Sequence, residues 1–217
     1  VALPAARSRA HVRGAGPGAV GREVDGVRET GVALWWLPVG AGGHVVVHTS
    51  RWWEEFHARR EHRPSRPLFH AALEVFTGHG RCAIEMAPAW GPLSGSDGVV
   101  ATGPVGLHWL GRSRLFRYEV RCQVDGRIPD LAWAPQPPTL IALSAVEADA
   151  LLGRVAEVPR HTWGRDATGT GEMWNSNSLI SWLLQTSGID AAALGPPDHG
   201  SAPGWASGIV AAEQAPR

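Results

Sequence analysis

The chain has 217 residues, of which 44% are hydrophobic and 18% charged, enough apolar material for one domain with a real core. Twenty basic residues, all of them Arg, balance twenty acidic ones, so no overall basic field points to nucleic acid or to an anionic membrane. No run approaches about 18 consecutive apolar residues, which argues against a transmembrane helix, and the opening VALPAARSRAHVRGAGPGAV lacks the apolar stretch of a secretory signal; a cytoplasmic protein is expected.

Residues 1 to about 30 are rich in Arg, Gly, Ala and Pro without hydrophobic period, and read as an irregular N-terminal arm. Order is expected from Val32. GVALWWLPV and GGHVVVHT are short β-branched or aromatic runs bounded by Gly and Pro, as strands are. Ser50 then precedes RWWEEFHARREH, a capped helix with early acidic residues that Pro64 and Pro67 close. LFHAALEVF and RCAIEMA flank TGHG, a hairpin signal. VVATGPVGLHWL and SRLFRYEVRCQV read as further strands. The Pro-rich PDLAWAPQPPT marks the crossing from sheet to helices.

Ser144 with Glu147 three residues on forms a capping box ahead of SAVEADALLGRVAEV, which runs to Pro159. The second helix is NSNSLISWLLQTSG: Leu179, Ile180, Leu183 and Leu184 make one apolar stripe, and Gly188 supplies the stop. WASGIVAAEQ is a short terminal helix. The order of elements gives an α+β fold with a mostly antiparallel sheet. Cys82 and Cys122, each inside a strand-like run, are expected buried and reduced. Most of the eleven Trp are expected in the core.

Two segments carry chemistry. A hydroxyl at a helix start lies in the positive end of the macrodipole beside backbone N–H groups able to hold an oxyanion, and WNSNSLISWLL puts Ser176 there, with Asn175 before it and Asn177 after it. A Ser needs an adjacent base. In FHAALEVFTGHGRCAIEMAP, a strand bearing His70 turns and returns with Glu85. Together the segments resemble the circularly permuted papain-like core of the NlpC/P60 and lecithin:retinol-acyltransferase type, His strand first and nucleophile helix last, with Ser where that family usually has Cys. The resemblance covers about a quarter of the chain. It implies a catalytic domain over residues 31–190 with a C-terminal extension at 191–217. It also implies a Ser176–His70–Glu85 triad in which Glu85 orients the imidazole, with Asn175 and Asn177 in the oxyanion or substrate role.

The function expected on that basis is acyl transfer: an amide or ester hydrolase, or an acyltransferase, acting on a small-molecule, peptide or lipid acyl substrate, with no cofactor and no metal. Ser178 is the runner-up nucleophile. A catalytically silent domain that binds a ligand or protein partner is the alternative, and a helix start serving only as a cap is a third. His44, His48, His57 and His62 show no metal-site spacing. The GAGPGA run follows no strand, and neither a P-loop nor a G-x-S-x-G elbow occurs.

Overall fold

The computed structural model describes residues 12–13, 30–40, 65–90, 98–128 and 131–215. The predicted strand GGHVVVHT and the helix after Ser50 lie outside the described residues, as do all four histidines His44, His48, His57 and His62.

Seven strands form one sheet: β1 (Val12–Arg13), β2 (Gly31–Pro38), β3 (Phe69–Thr77), β4 (Gly80–Pro88), β5 (Val99–Pro104), β6 (Arg117–Val124) and β7 (Thr139–Ala142). Their spatial order is β1-β7-β2-β3-β4-β6-β5, every pairing antiparallel. Three α-helices occur among the described residues: α1 (Ala145–Arg154), α2 (Ser176–Thr186) and α3 (Trp205–Glu213). The architecture is α+β, as the sequence predicts.

The β3–β4 hairpin forms where TGHG sits, with Thr77 paired to Gly80 across a two-residue turn. The sheet does not end at the Pro-rich passage: Thr139–Ala142 returns as β7 beside β2, and Val12–Arg13 of the arm pairs with β7 at the sheet edge. The predicted VVATGPVGLHWL strand stops at Pro104, and Gly106 to Phe116 instead forms two 3-10 turns before β6.

Register fixes which side chains share a face, because residues directly opposite in an antiparallel pair point the same way. Val32, Leu34 and Trp36 of β2 face the same side as Val75, Leu73 and Ala71 of β3. That side continues through Ile84 and Met86 into Val120 and packs on Leu151, Val155, Leu179, Ile180 and Leu183 of the helical layer. The opposite side carries Ala33, Trp35, Leu37, Ala72 and Ala83, with Ile128 against them.

α1 starts at the expected capping box, Ser144 accepting from Glu147 N–H while the Glu147 carboxylate accepts from Ser144 N–H. α2 buries its whole stripe, and removing Leu179, Ile180, Leu183 and Leu184 from water contributes roughly 1.5–3 kcal/mol each. It stops as predicted at Gly188, whose φ of 81° is left-handed. Ile189 N–H reaches back to Leu184 C=O, and Gly188 N–H to Gln185 C=O.

Residues of the C-terminal extension contribute to the core. Ala191 and Ala211 are buried in the same core as the sheet, and Trp205 packs on Trp36 with ring centroids 4.9 Å apart. α3 lies against α2 so closely that a Cβ on Gly208 would collide with the Ser178 carbonyl and the Ser181 hydroxyl. The helix–helix seam is Ser, Gly and Ala, which carries little hydrophobic signal in sequence.

Candidate functional site at the start of α2

The four polar residues opening α2 have different tasks. Asn175 is the N-cap: its Oδ1 accepts from Asn177 N–H (2.9 Å) and Ser178 N–H (3.3 Å), while its Nδ2 donates to Pro203 C=O (2.8 Å). Ser178 completes the capping box by accepting from Asn175 N–H (3.1 Å), and its hydroxyl donates to Gly204 C=O (2.8 Å). These bonds tie α2 to the loop before α3. Gly204 is required there: its φ is 92°, and any Cβ would strike the Asn175 amide.

Asn177 fastens α2 to the sheet. Pairing between β3 and β4 runs from Thr77–Gly80 to Leu73–Ile84 and then stops, while β4 continues along β6 as far as Pro88–Tyr118. In the space so opened, Asn177 Oδ1 accepts from Ala71 N–H (2.7 Å) and Asn177 Nδ2 donates to Phe69 C=O (3.1 Å). An amide side chain thus makes the two bonds a neighbouring strand would have made, and it is buried. Nδ2 also donates to Pro203 C=O (2.9 Å). Asn175 and Asn177, expected in an oxyanion or substrate role, thus have both ends of their amides engaged internally.

Ser176 stands at the first helical position, half-buried, and among the described residues its hydroxyl makes no hydrogen bond. Its neighbour Asn177 bonds the backbone on both sides of His70, so the helix start and the His strand do come together. The imidazole does not follow. His70 lies opposite Leu37 in the β2–β3 register, and Leu37 belongs to the side away from α2. No hydrogen bond joins His70 to Ser176 among the described residues, and His70 is engaged elsewhere.

Glu85 sits on the same side as His70, since it pairs in register with Arg121 two positions from the Ala83–Gln123 pair. The hairpin therefore does bring His70 and Glu85 to adjacent antiparallel strands and to a common face. By register, the expected base His70 and orienting carboxylate Glu85 lie across the sheet from the helix that carries Ser176. Ser178 is no substitute nucleophile, being fully buried and committed to the α3 loop.

The His70 side of the sheet carries further charge. Glu74 is 1% exposed, yet it accepts from Arg81 Nη1 and from Trp35 Nε1, each at 2.8 Å. Arg121 is wholly buried and donates from Nη2 to Glu119 at 2.6 Å, while its Nε and Nη1 have no hydrogen-bond partner among the described residues. Packed on all sides and paired through one nitrogen, that guanidinium is a structural charge. Among the described residues no group of His, Cys, Asp and Glu is arranged to hold a metal.

Sequence reasoning missed Glu172. Its carboxylate caps α3 from a distance, accepting from Gly204 N–H (2.9 Å) and Ala206 N–H (3.1 Å). A capping residue 32 positions before the N-cap Gly204 leaves no local motif to find. The loop leading to it is held by Asp166, which accepts from the N–H groups of Thr168, Gly169, Thr170 and Gly171; these bonds push its carboxyl below the ordinary carboxylate value.

Comparison of the chain with protein-family models, with curated proteins and with solved structures gives no match.

Proposed function

We propose that the chain is a catalytically silent binding domain on a permuted papain-like core, in which the former nucleophile helix serves as a fastener. One observation carries this reading: the Asn177 amide is spent on the β3 backbone at Phe69 and Ala71. Asn175 and Ser178 are likewise spent on each other and on Pro203 and Gly204. An active site of the acyl-transfer kind needs its hydroxyl in contact with a base and donors left over for an oxyanion. Here the imidazole belongs to the other face, and the side-chain donors are consumed.

The acyl-transfer reading keeps one specific support. Ser176 is the single member of the Asn-Ser-Asn-Ser run whose side chain is uncommitted among the described residues, at the position where the family has its nucleophile. The thiol of Ser176→Cys separates the two readings. Paired with a His, a thiol ionises well below its ordinary pKa of about 8.5 and alkylates rapidly in mild acid. The silent reading expects an iodoacetamide reactivity whose pH dependence, shifted downward only by the helix start, is the same in His70→Ala. Fast alkylation persisting near pH 6 and lost in His70→Ala would establish the enzyme reading instead.

A further inference from the structure

The 3-10 turns between β5 and β6 present an unusual surface. Trp109 is 69% exposed and Leu115 66%, with Leu107 and Phe116 exposed beside them. Trp90 joins this group, because Ala89 N–H bonds Arg117 C=O (2.9 Å) and Arg114 Nη2 bonds Ala89 C=O (3.3 Å). At this exposure the side chains stand out from the fold, whereas a peptide or a helix would need a concave seat.

Charge is just as one-sided. From Gly98 to Tyr118 the sequence contains no Asp or Glu. Arg112 is exposed, and three other arginines around it donate to main-chain carbonyls: Arg114 to Ala89, Arg117 to Gly111 and Arg112, and Arg165 to Gly106. None of the four forms a salt bridge among the described residues. The nearby carboxylate of Asp166 is turned into its own loop. A chain of zero net charge thus concentrates positive charge, met by no salt bridge among the described residues, around protruding Trp, Leu and Phe side chains.

We propose that this surface docks on an anionic phospholipid bilayer, with Trp109, Leu115 and Phe116 entering the interface and the arginines meeting lipid phosphates and anionic headgroups. Apolar tips inside a cationic ring are what an interfacial anchor needs: partial burial in the acyl boundary supplies affinity, and the arginines supply preference for negative lipid. The proposal uses none of the side chains that open α2 and holds whether that start is silent or catalytic.

The test is co-sedimentation of the full chain with phosphatidylcholine vesicles made with and without phosphatidylglycerol. Expected is binding to the phosphatidylglycerol vesicles that weakens with added salt and falls on the order of tenfold in Leu115→Ser/Phe116→Ser. Arg112→Glu, at an exposed side chain, should reduce it severalfold. Trp133→Ser, at an exposed Trp elsewhere, should leave binding unchanged. Three outcomes would overturn the proposal: no binding to either vesicle, binding indifferent to both patch variants, or a wild-type dimer that Leu115→Ser/Phe116→Ser converts to monomer.

Discussion

Asn177 holds Ala71 as a neighbouring strand would: its Oδ1 accepts Ala71 N–H at 2.7 Å while its Nδ2 donates to Phe69 C=O at 3.1 Å. The sheet splits between β3 and β4 at this point, and without the amide two buried backbone groups lose their partners. Each such loss costs about 1–3 kcal/mol. Asn177→Ala should therefore destabilise the fold by roughly 2–4 kcal/mol in urea denaturation, while Ser176→Ala stays within about 0.5 kcal/mol. Equal, small effects at both positions would remove the fastener role.

The Glu119–Arg121 pair tests how the charged side of the sheet is held. Removing only the carboxylate in Glu119→Leu takes the hydrogen-bonded partner from a buried guanidinium and should cost roughly 3–5 kcal/mol. Removing both charges in Glu119→Leu/Arg121→Met should recover part of that loss, since Nε and Nη1 of Arg121 have no hydrogen-bond partner among the described residues. Chemical denaturation of the two variants reads the difference directly. A double variant weaker than Glu119→Leu would mean that Arg121 contributes more than a paired charge.

Two helical glycines should respond with opposite sign. Gly153, on the exposed side of α1, has open space where a Cβ would stand, so Gly153→Ala should stabilise by about 0.5–1 kcal/mol. Gly208→Ala gains the same helix propensity but drives a methyl into Ser178 and Ser181 of α2, and should destabilise by about 1–3 kcal/mol. Thermal unfolding of each variant is sufficient to compare them.

Tyr118 is the chain's one tyrosine, so tyrosinate absorbance reports it alone. Burial pushes its hydroxyl up to about 12, and that hydroxyl donates to His161 C=O at 3.0 Å. A pKa raised in the folded state gives stability that is present below the ordinary value of 10.0 and is lost as pH climbs toward 12. Absorbance titration of folded protein should show no tyrosinate step near 10, and stability should fall over that window in wild type but less in Tyr118→Phe.

Much of the scaffold could be read from the chain. TGHG between two β-rich runs, Ser144 with Glu147, and Gly188 after the apolar stripe are local signals whose physics acts within a few residues, and each is found where expected. β7 escaped because Thr139–Ala142 is only four residues long and follows a Pro-rich passage, too short for a period to show. α3 is found where WASGIVAAEQ predicts a helix, but its packing on α2 leaves no signal, because the packed face includes Gly and Ser, which close approach uses and hydropathy does not register.

The candidate site was legible in part. Phe69, Ala71, Leu73 and Val75 alternate with His70, Ala72, Glu74 and Phe76, and the first set is the more apolar. That alternation already assigns His70 to the side shared with Glu74, away from any helix packed on the apolar stripe. The roles of Asn175 and Asn177 were not legible, because their partners at Pro203, Phe69 and Ala71 lie far away in sequence and exist only once the sheet has split.

The most direct measurement is mass-spectrometric detection of fluorophosphonate adducts on the folded, full chain. Expected is no adduct at Ser176 beyond the background at exposed serines, with identical traces for wild type and His70→Ala. A stoichiometric adduct at Ser176 that disappears in His70→Ala would show a hydroxyl activated by that imidazole, and would contradict the assignment of the α2 start as a fastener.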